Sequence, residues 1–190
     1  MLVARDLSKR YGDRRVFSGI DVELAAGSCL LVTGPNGSGK TTLLRVLSGL
    51  AAPSGGELEL PERGRIGYLG HEPLVYRELT PLENLTLFGR LYRVPEARER
   101  IGMLLERFGL WEVRDARVST FSRGMQQRLG LCRVLLHEPT HLLLDEPYNA
   151  LDAQGAALLD GVLAEPRTWV VATHEPERVE RRATQRLGFA

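Results

Sequence analysis

The segment Gly34–Thr41, GPNGSGKT, constrains this chain more than any other stretch of it. It fits the pattern G-x-x-x-x-G-K-[ST], in which glycines let the backbone turn back so that several N–H groups point at one anion. Lys40 supplies a positive charge for the β- and γ-phosphates, and the Thr41 hydroxyl can ligate Mg²⁺. The loop therefore predicts the binding of a nucleoside triphosphate, ATP or GTP. The residues predicted to bind it are Gly34, Pro35, Asn36, Gly37, Ser38, Gly39, Lys40, Thr41 and Thr42.

The segments on either side of this loop suit the motif. Ser28–Thr33 is a short apolar run typical of a buried strand, and Thr41–Leu50 places apolar residues at helical spacing. A strand, a glycine-rich loop and a helix whose N-terminus faces the anion is the arrangement that phosphate binding requires.

Composition limits the class of protein. The chain has 190 residues, enough for one domain with a real core, and hydrophobic residues make up 43% of it. A net charge of +1 argues against a dedicated nucleic-acid binder, so we expect no nucleic acid among its partners. Cys29 and Cys132 have no His or Cys at ligand spacing and are expected in the core in reduced form. No stretch has the roughly 20 apolar residues of a membrane span, so we expect a cytoplasmic protein unless a partner holds it at a membrane.

The order of periodic segments predicts an α/β fold. An N-terminal pair of strands is followed by the phosphate loop, a helical stretch at 72–121, and strands that alternate with helices, as in a parallel sheet. Prolines are expected to open two helices, Pro81–Tyr92 and Pro95–Phe108. The predicted strands are Leu2–Leu7, Arg15–Leu24, Ser28–Thr33, Glu57–Leu60, Arg65–Leu69, His141–Leu144 and Thr168–Thr173.

Two carboxylates end the apolar run that begins at His141. Asp145 at the strand end can reach the Mg²⁺ shell, and Glu146 is then placed to polarise an attacking water. The alternative is a strand that ends in a solvated acidic pair.

The segment Phe121–Leu129, FSRGMQQRL, resembles the signature loop of the ATP-binding subunits of ABC transporters, usually LSGGQ. The resemblance extends over essentially the whole chain. It implies that Ser122 and Gly124 touch the γ-phosphate bound by a second subunit, and Arg123 and Met125 depart from the usual residues without removing either contact. Ser122 also suits a helix N-cap, so a plain capped helix is the alternative.

Other residues continue the resemblance in chain order. Tyr11 is placed like the aromatic that stacks on adenine, with an ordinary core or surface tyrosine as the alternative. Asn149–Asp152 resembles the loop that communicates across the dimer. His174 resembles the histidine that holds the γ-phosphate and the attacking water, which makes Glu146 and His174 the predicted catalytic pair. His71 stands where most ABC subunits have a glutamine that senses Mg²⁺ and water, and the alternative is that it is a bystander. The predicted metal ligands are Thr41, Asp145 and His71.

The resemblance implies an ABC ATPase fold: a P-loop NTPase core with a parallel sheet, an N-terminal antiparallel β subdomain and a helical insertion. Residues 1–190 would form one such domain, with 1–71 and 122–190 as the catalytic core and 72–121 as the insertion. The resemblance implies an ATP hydrolase that uses ATP and Mg²⁺ and forms a dimer with itself or with a homologue. It also implies that the dimer lies on the cytoplasmic face of the cell membrane and energises a separate transmembrane permease.

Other sequence segments, less specific than the ATPase motifs, bear on which species is transported. The segments Leu69–Pro73 and Leu79–Leu85, with His174-Glu175-Pro176, resemble the ATP-binding subunits of haem exporters in cytochrome c maturation. A drug, lipid or small-molecule exporter is the alternative within transport. A soluble ABC ATPase acting on nucleic acid or ribosomes is the alternative outside it, and the single cassette and small net charge disfavour that reading.

Overall fold

The computed structural model describes residues 1–189, with the backbone alone at position 63. The chain divides into two compact units. The first contains Met1–Tyr68, Thr140–Glu146 and the chain from Pro166 onward, and the second contains Leu69–Pro139 and Pro147–Glu165. The interpretation as one domain with an insertion at 72–121 stays a prediction.

Within residues 1–189 the structure has eight strands and five α-helices, and their order up to β7 follows the alternation that the sequence predicts. The strands are β1 (Leu2–Tyr11), β2 (Arg14–Leu24), β3 (Cys29–Thr33), β4 (Gly55–Glu59), β5 (Ile66–Leu69), β6 (His141–Asp145), β7 (Thr168–Ala172) and β8 (Gln185–Gly188). The helices are α1 (Lys40–Leu47), α2 (Pro81–Leu91), α3 (Ala97–Arg107), α4 (Arg123–Leu135) and α5 (Ala153–Leu163). Short 3₁₀ helices lie at Arg63–Arg65, Trp111–Val113, Val118–Thr120, Pro176–Arg178 and Glu180–Arg182.

Two sheets organise the strands. β1 lies between β2 and β4 in an antiparallel sheet of three strands. The other sheet has the order β5-β6-β7-β3-β8, and β3 pairs in parallel with both β7 and β8. Strands β3, β6 and β7 are apolar and almost fully buried, as expected for a parallel sheet covered on its faces. Strand β8, at one edge of this sheet, is not among the strands predicted from the sequence.

Helix α1 shares one apolar core with both sheets of the first unit. Leu43, Leu44 and Leu47 are fully buried and belong to the same cluster as Leu7 of β1 and Val170 of β7. Full burial of a leucine side chain stabilises a fold by about 1.5–3 kcal/mol, so this cluster holds the helix that follows the phosphate loop firmly in place. Cys29 and Cys132 are buried free cysteines, as predicted.

Helix ends in the second unit follow from local sequence. Thr80 caps α2 in a reciprocal capping box with Glu83, and Pro81 occupies the first turn as predicted. The prediction that Pro95 opens the next helix is wrong, because Glu96 has a left-handed backbone (φ +50°) and α3 begins at Ala97.

Candidate functional site

The phosphate loop connects β3 to α1 in the first unit. Gly34 and Gly39, at its two ends, have φ values of +143° and +116°, a region that side chains rarely tolerate. The Lys40 ammonium is 6% exposed and donates to the carbonyl oxygens of Gly34 (2.7 Å) and Pro35 (3.1 Å), so its charge is held inside the curve of the loop. The tip of the loop, formed by Pro35, Asn36 and Gly37, is exposed, and Thr42 lies half-buried in the first turn of α1.

One buried hydroxyl in the loop has no partner among the described residues. Ser38 Oγ is buried without a hydrogen bond. Buried polar atoms in native structures are almost always satisfied, and a phosphate oxygen cradled by the loop would satisfy this one. The loop therefore fits an anionic ligand of the kind that the sequence predicts.

Thr41 and Asp145 meet at the end of the parallel sheet. The Thr41 hydroxyl donates to Asp145 Oδ2 at 2.6 Å, and the carboxylate is 1% exposed. A hydroxyl and a carboxylate oxygen are ligands that Mg²⁺ accepts, with substrate oxygens and water completing its shell. By this donor chemistry the pair fits a metal held jointly with a nucleotide. Within residues 1–189, no group of three His, Cys, Asp or Glu side chains forms a metal site.

Sequence reasoning missed Tyr68, which lies near this pair in the first unit. Burial, and then the negative charge of Asp145, raise the pKa of Tyr68 to about 12. A tyrosine hydroxyl is already protonated near neutral pH, and this rise in pKa keeps it protonated at higher pH, so it adds no charge of its own beside Asp145. The only sequence signal is its place in the predicted strand Arg65–Leu69, which does not distinguish it from a core tyrosine.

Glu146 and His174, the predicted catalytic pair, are in contact. Glu146 Oε2 lies 2.8 Å from His174 Nδ1 and accepts the His174 backbone N–H at 3.3 Å. Glu146 Oε1 is buried without a hydrogen bond and lies 4.0 Å from Lys40 Nζ. A carboxylate with one committed and one uncommitted oxygen can orient water and take its proton, which is the role of a general base.

The backbone at Glu146 is unusual for its residue type. Its φ is +48°, a left-handed conformation that costs free energy outside glycine, and its N–H donates to Ala172 O of β7 at 2.8 Å. Strain of this kind is found often at functional sites.

Ser122 and Gly124 lie in the second unit, at the N-terminus of α4. Ser122 is the predicted N-cap: its Oγ accepts the N–H of Met125 at 3.2 Å. Gly124 packs against the loop that precedes α5, because a Cβ built there would lie 2.7 Å from Ala150 O. Any side chain at position 124 would therefore displace one of these two backbones.

His71 lies in the second unit, whereas Thr41 and Asp145 belong to the first. It is exposed and lines a cleft of about 780 Å³ in the second unit. The other residues that line this cleft include Arg77, Arg123, Gln126, Gln127 and Asn149. The role of His71 as a metal ligand stays a prediction.

Tyr11 ends β1 at the turn into β2, in the first unit. Its side chain is 52% exposed, and Lys9 Nζ lies 4.8 Å from the centre of its ring. An exposed ring next to a positive charge is free to stack on a flat ligand, but no further described contact bears on that role.

The chain belongs to the ABC transporter family, because the family model described as "ABC transporter" matches residues 17–149. It is 44% identical over 161 residues to the daunorubicin resistance ATP-binding protein DrrA3 of Streptomyces coeruleorubidus, covering 78% of this chain and 51% of that protein. It is 41% identical over 190 residues to the cytochrome c biogenesis ATP-binding export protein CcmA of Cupriavidus necator, covering 92% and 83%.

A solved structure agrees with this assignment. A dimeric ATP-binding cassette in a post-hydrolysis state, bound to ADP and Pi, superposes with a TM-score of 0.86 at 26% identity and covers 100% of this chain and 94% of its own. The predicted ABC ATPase fold is thereby confirmed, and the chain belongs to the family of ABC ATPase domains. The chain spans about half the length of several curated relatives that it matches.

No described helix within residues 1–189 has the length and apolar character needed to cross a bilayer.

Proposed function

We propose that this chain binds ATP with Mg²⁺ and hydrolyses it to drive transport by a separate membrane subunit. The observation that carries the proposal is the contact between Glu146 and His174, with Glu146 Oε1 4.0 Å from Lys40 of the phosphate loop. A buried carboxylate paired with histidine beside a phosphate-binding lysine is suited to activating water next to a terminal phosphate.

Each residue has a distinct task in this proposal. The loop N–H groups and Lys40 bind and orient the β- and γ-phosphates, while Thr41 and Asp145 hold Mg²⁺. The bound ion would neutralise charge on the phosphate oxygens. Glu146 accepts the proton of the attacking water, and the 2.8 Å contact with His174 fixes the direction in which the carboxylate points.

A second copy of the chain, or a homologue, would complete the site. Ser122 caps α4 and presents a helix N-terminus, which attracts anions, and its side chain is exposed. We infer that Ser122 and Gly124 of one subunit contact the γ-phosphate bound by the other, so that ATP closes the dimer. The solved dimeric relative supports pairing of this kind.

We infer that the chain acts on the cytoplasmic face of the cell membrane, where it binds a transmembrane permease. We infer that the insertion at 72–121 carries the motion to that permease. Among cargoes we favour the haem exporter of cytochrome c biogenesis, because the match to CcmA spans 83% of that protein whereas the match to DrrA3 spans 51%. The higher identity to DrrA3, 44% against 41%, keeps a drug or lipid exporter as the second candidate.

Two measurements test the proposal. Phosphate release from MgATP, by the chain alone and with its co-purified membrane partner, tests hydrolysis; no release in either state refutes it. An absorbance spectrum of the co-purified complex tests for haem. A complex that hydrolyses ATP but neither binds haem nor responds to it would instead favour the second candidate.

A further inference from the structure

Strand β8 ends directly beside the start of the phosphate loop, within the first unit. Thr33, the last residue of β3, pairs with Gly188, and Phe189 donates its N–H to Thr33 O at 2.8 Å. The pairing therefore continues to the residue that immediately precedes the loop, and it brings Phe189 to the loop's first glycine.

Phe189 contacts both ends of the loop. A Cβ built on Gly34 would lie 2.7 Å from the carbonyl oxygen of Phe189 and 2.8 Å from its Cβ. A Cβ built on Gly39 would lie 3.3 Å from Cε1 of the same ring and 2.8 Å from Val16 Cγ1. The two glycines thus lie against Phe189, the residue that follows β8, with no room for a side chain between them.

The core of the first unit holds the Phe189 ring from its other side. The ring packs edge-on against Phe17, with centroids 6.2 Å apart and an angle of 78° between the planes. Phe17 is 6% exposed and belongs to the core cluster, against which Phe189 packs. Phe189 therefore joins the rigid core to a glycine-rich loop that would otherwise have wide conformational freedom.

We propose that Phe189 is a positioning residue for nucleotide binding. It acts through Gly34 and Gly39, holding the loop in the curve that points its N–H groups at the phosphates. The loop is then already ordered before the nucleotide binds, so little conformational entropy is lost on binding. This inference rests on the proposed function for its effect on ATP affinity, but the effect on the loop itself does not need a nucleotide.

Leu187 offers a matched control. It lies in β8, two residues before Phe189, pairs with Val32 and packs half-buried against the same core. An ordinary core role for Phe189 predicts similar consequences for Phe189→Ala and Leu187→Ala. A positioning role predicts that only Phe189→Ala changes the loop.

Hydrogen exchange in the nucleotide-free full chain tests the loop directly. The amides of Ser38 and Leu43 are hydrogen-bonded to carbonyls of the loop, Pro35 O and Gly39 O. Ordering one residue's backbone is worth about a factor of ten in an equilibrium constant, so Phe189→Ala should speed exchange of these two amides about tenfold relative to those of β6. Leu187→Ala should change the two sets equally. Equal acceleration of both sets in Phe189→Ala, or a loop effect as large in Leu187→Ala, would overturn the proposal.

Calorimetric titration with MgATP and MgADP tests the consequence. We expect Phe189→Ala to raise the Kd of both nucleotides about tenfold, with Leu187→Ala within about twofold of wild type, because a protein that is merely less stable loses active fraction rather than affinity. An unchanged Kd in folded Phe189→Ala would overturn the proposal. Absence of binding by the wild type would refute the proposed function, while the exchange experiment would still decide the role of Phe189.

Phe189→Leu covers the case in which the alanine variant does not fold. Leucine keeps the backbone and Cβ that face Gly34 but removes the ring carbon that faces Gly39. Exchange should then rise at the amides next to Gly39 and stay unchanged next to Gly34, with a smaller rise in Kd. Wild-type exchange at both ends of the loop would overturn the proposal.

Discussion

Replacing Glu146 with glutamine keeps the size of the side chain and removes its charge. In the structure its two oxygens face different donors: Oε2 accepts from the backbone N–H of His174 and lies 2.8 Å from that ring, and Oε1 lies 4.0 Å from the Lys40 ammonium. Glutamine has one carbonyl oxygen, so its NH₂ group must face one of these donors. The amide also cannot take a proton from water.

The expected effect falls on turnover rather than on binding. Loss of a positioned general base typically costs about 10²–10⁴-fold in rate, or roughly 3–5.5 kcal/mol in the barrier. The negative charge of Glu146 is buried close to Lys40, which is predicted to hold phosphate. Removing that charge relieves repulsion toward a phosphate, so the affinity for MgATP should be equal or higher.

Two assays and a control separate this mechanism from a general loss of structure. Phosphate release should fall by at least about 10²-fold in Glu146→Gln, while light scattering should show an ATP-dependent dimer that ADP does not produce. Glu175→Gln is the control, because the exposed carboxylate of Glu175 also lies near the His174 ring, with Oε1 3.8 Å from Nε2. Wild-type turnover in Glu146→Gln, or an equal loss in Glu175→Gln, would refute the role of Glu146.

Three further changes address the cap, the packing and the pH response. Ser122→Ala removes the cap of α4 and should lower the unfolding free energy by about 0.5–2 kcal/mol. The rate of phosphate release should fall by a larger factor than the MgATP affinity measured by calorimetry. Equal losses in both would argue against contact from a second subunit. Gly130→Ala places a Cβ 2.6 Å from Pro73 Cβ and should lower unfolding free energy in urea by about 1–3 kcal/mol, whereas Gly161→Ala, which meets nothing within 4 Å, should not. Burial lowers the pKa of His141, so the unfolded chain binds its proton more readily; unfolding free energy should then fall as pH drops below about 6.5. In His141→Gln the unfolding free energy should fall less between pH 7 and pH 5 than in the wild type. An equal fall in both proteins, measured by urea unfolding at each pH, would contradict this prediction.

Features set by adjacent residues were predictable from the sequence. The phosphate loop has its glycines, lysine and threonine within eight consecutive positions, so one motif indicates both conformation and ligand. The cap at Ser122 and the proline in the first turn of α2 are also local. In each case the stabilising hydrogen bond or the fixed φ joins residues at most a few positions apart.

Features set by distant partners were not predictable. β8 reads QRLG, is mostly exposed and shows no clear alternation, and it becomes a strand because β3 offers it an edge. Its register brings Phe189 to Gly34 across more than 150 positions of sequence. The predicted start of α3, Pro95, is two residues early, because the left-handed backbone of Glu96 delays the helix to Ala97. A glutamate in the sequence does not indicate that conformation.

Glu146 shows where the boundary between the two cases falls. Its residue type and its place after an apolar strand made it the candidate base, but those facts leave the direction of the side chain open. That direction comes from a backbone at φ +48°, held by the bond from its N–H to Ala172 O on the neighbouring strand. The chain runs from Ala172, the last residue of β7, through Thr173 to His174, so the strand that holds the backbone of Glu146 also leads directly to its partner. The contact between Glu146 and His174 is therefore a consequence of strand register between β6 and β7, and a shift of that register would separate the two side chains even with both residues intact.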